Sequence, residues 1–251
     1  MNEFKKKIIL ITGSSSGLGY GLTSEFVKIG SKIIATGNTN VKRIKKLANK
    51  NKKKIFLHFY DLTDSKNINI LCGKIKKENK KIDAIIHCLG GGFGLVDPLI
   101  NMDDLLKLYK LNIAIGAEIN RNLVPILNPK KSNIIHIGST TSVQGIGSVG
   151  YSTMKAGLLA YSKTLAINLI KKKIYVNTIM PGAFTAPGNH FERMKEKNPL
   201  FFKEFSTKRI KIEKISTYKD IFPLIKLLIS DEGKMLSGSN ILIDACETNC
   251  Y

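Results

Sequence analysis

The sequence predicts an α/β domain built on a doubly wound, mostly parallel sheet of seven strands, with helices on both faces. Three observations carry that prediction. Short β-branched apolar runs alternate with longer amphipathic stretches, as a parallel sheet with crossover helices requires. A glycine cluster follows the first apolar run directly, where an α/β chain turns from strand into helix. A length of 251 residues suffices to bury one substantial core, so residues 1–251 read as a single domain.

Taken in order, residues 7–12, around the apolar run 8–11, read as the first strand. Runs at 32–36, 54–58, 84–87, 133–137, 174–179 and 240–243 repeat the pattern and complete the sheet. Between them, 18–29, 41–50, 65–78, 102–127, 152–171 and 219–230 read as helices. The stretch 102–127 reads as one long helix with Leu105, Leu108, Tyr109, Leu111, Ile115 and Ile119 on a broad apolar face. The stretch 152–171 carries Leu158, Leu159, Ser162, Leu165 and Leu169 in the same way. Part of each face serves the core, and the rest could meet a second subunit. Residues 182–215, with Pro187, Pro199 and adjacent Phe201 and Phe202, are less regular and read as a mobile substrate lid.

Composition excludes several classes. The apolar run at 8–11 is too short for a signal-peptide core, and no segment is long enough to span a bilayer, so a cytoplasmic location is expected. Cys72, Cys88, Cys246 and Cys250 lack metal-like spacing and read as reduced thiols, with no metal expected. The formal net charge of +21 raises nucleic-acid binding, but the lysines are scattered through almost every segment instead of forming an arm or stripe. Lys, Ile and Asn are abundant together, the signature of A+T-rich coding sequence. No specific nucleic-acid site is expected; attraction of an acidic substrate or carrier protein is the remaining use of the charge.

The first strand runs into Thr12-Gly13-Ser14-Ser15-Ser16-Gly17-Leu18-Gly19. Glycines there permit a tight turn and close approach of backbone to a pyrophosphate, and the helix that follows offers free N–H groups and its positive dipole end. Gly13, Ser15, Ser16, Gly17, Leu18 and Gly19 are therefore candidate phosphate-binding residues. The second strand ends Ala35-Thr36-Gly37-Asn38, without the acidic residue that holds NAD ribose, and Lys42 and Arg43 follow. NADP(H) is favoured over NAD(H), with Asn38 at the discriminating position.

Tyr151 and Lys155 lie four residues apart, so on a helix they share one face. A nearby ammonium stabilises phenolate, and Lys155 is expected to draw the Tyr151 pKa down from its usual value of about 10. A tyrosine that donates a proton is what a ketone needs while it accepts hydride. Singly, these residues have plainer readings: Tyr151 as a packing residue, Lys155 as one more surface lysine. His87 and His136 read as structural histidines with satisfied hydrogen bonds.

The Thr-Gly-x-x-x-Gly-x-Gly turn, with Tyr151-x-x-x-Lys155 far downstream, resembles the short-chain dehydrogenase/reductase family over nearly the whole chain. The resemblance implies a Rossmann-like fold and hydride transfer between nicotinamide and a small alcohol or ketone, sugar-derived ones included. It implies Tyr151 as general acid or base, Lys155 as its partner and ribose ligand, and Ser139 as hydrogen-bond donor to the substrate oxygen, although Thr140, Thr141 and Ser142 compete for that role. Asn112 takes the family's helical asparagine position, holding a water that links Lys155 to solvent. Asp61 and Leu62 resemble the pair that contacts adenine, and Gly90, Pro181, Gly182 and Thr185 fall at further cofactor positions. A homodimer or homotetramer through the long helices is also implied. Two departures stand out: His87-Cys88-Leu89-Gly90 replaces Asn-Asn-Ala-Gly, and Asp244-Ala245-Cys246 replaces Asp-Gly-Gly. A reductase of 3-oxoacyl groups on acyl-carrier protein is the alternative within the class, and a non-catalytic NADP-binding regulator the alternative outside it.

Overall fold

The computed structural model describes residues 3–212 and 214–250. Its strands are β1 (Ile8–Thr12), β2 (Lys32–Gly37), β3 (Ile55–Phe59), β4 (Ala84–His87), β5 (Ser132–Ile137), β6 (Ile174–Pro181), β7 (Phe184–Thr185), β8 (Ser216–Thr217) and β9 (Asn240–Ile243). The helices are α1 (Gly17–Lys28), α2 (Lys42–Lys50), α3 (Ser65–Glu78), α4 (Met102–Tyr109), α5 (Ile115–Leu123), α6 (Val149–Leu169), α7 (His190–Lys197), α8 (Pro199–Arg209) and α9 (Tyr218–Ile229). Seven strands form one parallel sheet in the order β3-β2-β1-β4-β5-β6-β9. The chain winds outward from β1 one way and from β4 the other, which opens a crevice at their carboxyl ends.

Alternating side chains divide the core into two layers. Ile9, Ile11 and Ile33 join Leu22 and Phe26 of α1 and Ile221 and Ile225 of α9 on one face. Leu10 and Ile34 join Leu71 and Ile75 of α3, Ile119 of α5 and Ala166 of α6 on the other. All five strand residues are fully or almost fully buried, as expected of β-branched runs covered on both sides.

Two stretches differ from expectation. The helix expected over 102–127 is interrupted: α4 gives way to a π turn at Lys110–Ala114, and a 3-10 turn at Val124–Ile126 follows α5. The cause of the first break is local. Asn112 turns inward, donating from Nδ2 to the Leu108 and Gly91 carbonyls at 2.9 Å each, and the widened turn makes room for it. Pro125, which has no N–H to continue the ladder, accounts for the second.

The described residues of 182–215 are more regular than expected. β7 pairs with β8 across the segment, and α7 and α8 lie between them. Asn189 caps α7 by accepting from Glu192 N at 2.8 Å, and Asn198 caps α8 with Pro199 in its first position. Arg209 at the end of α8 pairs with buried Glu247 at 2.6 Å, and Glu247 also accepts from Ala183 N, so one carboxylate ties both ends of the segment to the C-terminal turn.

That C-terminal turn explains one departure from the family pattern. Ala245 and Cys246 have φ values of 51 and 60°, the left-handed region where glycine carries no steric cost. Hydrogen bonds from Cys246 N and Thr248 to Asp244 hold the turn closed. Ala245→Gly and Cys246→Gly are each expected to stabilise the protein by about 0.5–1 kcal/mol, after subtracting the added freedom of glycine in the unfolded chain. A higher urea midpoint at unchanged slope is the expected reading; a lower midpoint would contradict the strain argument.

Candidate active site

The crevice floor is the glycine turn. Gly13 and Gly17 have φ of 67 and 59°, and a Cβ on Gly19 would lie 2.4 Å from the Gly13 carbonyl oxygen. Ser14 donates to Ile11 O at 2.8 Å, and Thr23 Oγ1 donates to Gly19 O at 2.8 Å, fixing turn to strand and helix. The N-cap residue Ser16 makes no side-chain capping hydrogen bond, and the first turn of α1 contains no acidic residue, so no carboxylate of that turn opposes an anion at the helix N-terminus. Gly17 N donates to Pro187 O at 2.7 Å, which brings the 182–215 segment down over the turn. Ser15 and Ser16 are half-buried, while Leu18 is buried and can offer a ligand only its backbone. A turn this closely packed, at the switch point of the sheet, fits a dinucleotide pyrophosphate.

Along the rim, Asn38 is exposed just past β2. Arg43 stacks over Tyr20 at 5.9 Å, and a Cβ on Gly188 would lie 3.3 Å from both Arg43 Nη1 and Ser16 Cβ, which places the guanidinium beside the glycine turn. Glu192 of α7 stands 4.0 Å from it. Asp61 accepts from Thr63 N and Oγ1, and these bonds hold its carboxyl below the usual range. Leu62 belongs to the core, so its side chain is unavailable to adenine. Pro181 closes β6, Gly182 packs against Asp244 and Glu247, and Thr185 lies on β7, donating to Ser216 O at 3.4 Å.

The candidate catalytic residues lie after β4 and β5 and on α6. Helix α6 starts at Val149, so Tyr151 lies in its first turn and Lys155 one turn on. Lys155 is buried, not a surface lysine, and its Nζ donates to Ile137 O at 2.7 Å. Ser139 follows β5 and caps the Thr140–Ser142 turn by accepting from Thr141 N at 3.2 Å. Its hydroxyl is the one that bears on Tyr151, by a hydrogen bond that favours phenolate; Thr140 is buried away. Asn112 accepts from Gly91 N at 3.1 Å, and a Cβ on Gly90 would meet Asn112 Oδ1 at 2.9 Å and Lys155 Nζ at 3.2 Å. Gly90 thus lets the asparagine, the lysine and the loop after β4 converge.

The expected effect of Lys155 on Tyr151 is not found. The Tyr151 pKa is raised, because burial of the phenol outweighs the Ser139 hydrogen bond. Nζ lies 5.6 Å from the ring centroid and is committed to a carbonyl. Burial instead lowers Lys155 itself to about 8, and pushes the neighbouring Cys88 thiol far up. At neutral pH the cluster therefore holds a protonated phenol and an ammonium ion whose proton is loosely held.

Three parts of the site had no signal in the sequence. The Ile137 ligand to Lys155 is a backbone carbonyl, and Gly92, 3.7 Å by its Cβ direction from the Tyr151 ring, is one glycine among three. The Arg43–Glu192 approach depends on how α7 folds over the turn. The reading of His136 as satisfied is also corrected: its Nε2 is buried with no hydrogen-bond partner among the described residues, whereas His87 Nε2 meets Asn120 Oδ1 at 2.9 Å.

A dinucleotide cradle facing a tyrosine, lysine, serine and asparagine defines a class of nicotinamide-dependent oxidoreductases. Residues 7–197 match the family model described as short chain dehydrogenase. The chain belongs to that family and is accordingly an NAD(P)-dependent oxidoreductase acting on an alcohol or the matching ketone. Among curated relatives, the 3-oxoacyl-[acyl-carrier-protein] reductase FabG of Thermotoga maritima is 26% identical over 242 residues, spanning 95% of this chain and 96% of that protein. The 7alpha-hydroxysteroid dehydrogenase of Bacteroides fragilis is 24% identical over 251 residues, spanning 97% and 95%. L-sorbose reductase of Gluconobacter frateurii, solved with NADPH and L-sorbose, shares the fold at a TM-score of 0.89 and 22% identity over 100% of this chain and 99% of its own.

Proposed function

We propose that this protein reduces a small ketone with NADPH, Tyr151 being the proton donor. The convergence of Tyr151, Lys155, Ser139 and Asn112 around Gly90 carries this reading. Bound nicotinamide supplies the hydride. Ser139 orients the substrate oxygen and stabilises the charge that grows on it; Tyr151 gives that oxygen a proton; Lys155 holds the cofactor ribose and makes good the proton that Tyr151 loses. Gly13, Ser15, Ser16, Gly17, Leu18 and Gly19 hold the pyrophosphate, Asp61 and Leu62 N–H the adenine side, and Gly90, Pro181, Gly182 and Thr185 the nicotinamide side. The preference for NADP(H) rests on the missing acid at Asn38 and on Arg43 beside the phosphate turn.

Residues 182–215 form the substrate lid, and the chain works as one domain in the cytoplasm. Exposed Leu106 and Tyr109 on α4 and Ile167 on α6 suit a homodimer or homotetramer through these helices. No helix among the described residues is long and apolar enough to cross a membrane. A second reading, reduction of a 3-oxoacyl chain on acyl-carrier protein, is favoured by the similarity to FabG and by the basic surface, which suits an acidic carrier.

The test is a screen of ketones, ketoses and 3-oxoacyl thioesters followed by the absorbance of NADPH and NADH. Turnover of a ketone with NADPH preferred is expected; cofactor binding without turnover across the panel would favour the regulator. The pH profile carries its own sign. Lys155, lowered to about 8, is charged below that value and neutral above it, whereas Tyr151 is shifted upward and keeps its proton. Reductive kcat is therefore expected to fall as pH rises through about 8; a flat profile across that value would contradict the role of Lys155.

A further inference from the structure

The C-terminal departure from the family pattern brings a buried charge along with its turn. Glu247 follows Asp244-Ala245-Cys246, and its side chain is only 3% exposed. The turn that carries it is well tied. Glu247 N donates to Asp244 O at 3.0 Å, and buried Thr248 donates twice to the Asp244 carboxylate. Pairing of β9 with β6 sets Ile243 opposite Pro181, so the turn lies against the end of β6. There the carboxylate fills the space left by Gly182, where a Cβ would lie 2.4 Å from Oε2. Oε2 accepts from Ala183 N, and Oε1 meets Arg209 Nη2 at 2.6 Å.

Arg209 stands on the other side of this contact. It ends α8, and its side chain is 34% exposed. The guanidinium lies over the Phe205 ring at 5.3 Å, and Phe205 meets Phe191 of α7 at 5.4 Å. Through one cation, then, Glu247 reaches both helices of the segment. At the far end, Glu192 of α7 accepts from Gly188 N, and the neighbouring Pro187 O accepts from Gly17 N of the glycine turn. The segment is thus fastened at two places, one on each side of the crevice. A buried carboxylate is stable only while its partners stay in contact, so lifting α8 would strand Glu247 with one N–H donor. The buried half sits on the fixed turn and the part-exposed half on the covering segment, as a latch requires.

We propose that Glu247 and Arg209 latch residues 184–209 over the crevice and act as positioning residues for the reduction, a role that rests on the oxidoreductase reading given above. Neither side chain is asked to touch the reacting atoms. The pair stabilises the closed segment, and with it the substrate held beneath, so it governs substrate retention and not the chemical step.

Hydrogen exchange read by mass spectrometry, on the protein alone and with NADPH, tests the latch without turnover. Glu247→Gln keeps an acceptor for Ala183 N and removes the charge; Arg209→Met removes the cation and keeps an apolar stem beside Phe205. In each, amides of α7 and α8 are expected to exchange about tenfold faster, a modest effect for a broken pair because Arg209 is part-exposed. Exchange in α1 and α6 stays at the wild-type rate, and Arg209→Lys, which keeps the cation, restores most of the protection. With NADPH and acetoacetyl coenzyme A or L-sorbose, KM is expected to rise about tenfold at unchanged kcat, since a saturated site still closes. Wild-type exchange of α7 and α8 in both variants overturns the proposal. Equal acceleration of α1 and α6 overturns it too, because the pair would then serve the whole fold, as does a loss confined to kcat. If the wild type reduces neither probe, the functional reading is what fails, and exchange of α7 and α8 alone decides the latch.

Discussion

Tyr151→Phe is expected to lower ketone turnover by about 10²–10⁴-fold, the usual share of a positioned general acid, while leaving NADPH binding nearly intact. The two effects separate because the ring keeps its place. Phenylalanine fills the same space beside Gly92, and Lys155 retains its bond to Ile137 O, so cofactor contacts lose little. What disappears is a hydroxyl that hydrogen-bonds with Ser139 and, its pKa raised by burial, keeps its proton at neutral pH. Steady-state kinetics and an NADPH fluorescence titration on the same preparation check this. Turnover retained at the wild-type level would remove Tyr151 from the chemistry. Loss of binding along with turnover would mean that the hydroxyl serves the architecture of the cleft instead.

Gly19→Ala is expected to weaken NADPH binding by about 100-fold and to destabilise the fold by about 1–3 kcal/mol, the range for overpacking a tight site. The new methyl would lie 2.4 Å from Gly13 O, 2.8 Å from Gly13 C and 3.1 Å from Thr12 O. All three are backbone atoms, so no flexible side chain can give way, and either the turn or α1 must move. Either shift withdraws the helix N–H groups from a pyrophosphate. Gly73 is the matched control, since a Cβ there meets nothing within 4 Å. Thermal melts and titration of both variants check the prediction, and wild-type affinity in Gly19→Ala would show that the turn is not the phosphate site.

These expectations show which parts of the molecule could be read from the chain. The seven sheet strands were legible because each is a short apolar run between amphipathic stretches, and burial on both faces leaves little freedom in composition. The break in the helix expected over 102–127 was not, because an inward-turned asparagine looks like any polar residue in a helical pattern until its partners, Leu108 O and Gly91 O, are in place. The order of 182–215 was not read from the chain: Asn189 and Asn198 act as caps only once α7 and α8 are in place, and the two-residue strands β7 and β8 carry no pattern at all.

By itself, then, the sequence determined the fold class, the glycine turn after the first strand and the placing of Tyr151 and Lys155 on one helix face, since each depends on neighbours close in the chain: periodicity, glycine geometry, a four-residue helical step. Only the tertiary structure decided the electrostatics. Whether a lysine lowers a tyrosine's pKa, or is itself lowered by burial, depends on distance and on access of water, and here Lys155 is buried against Ile137 O while Tyr151 is raised. The same holds for His87 and His136, 49 residues apart in the chain and stacked because β4 and β5 are neighbours in register. No local pattern encodes that contact; the sheet makes it.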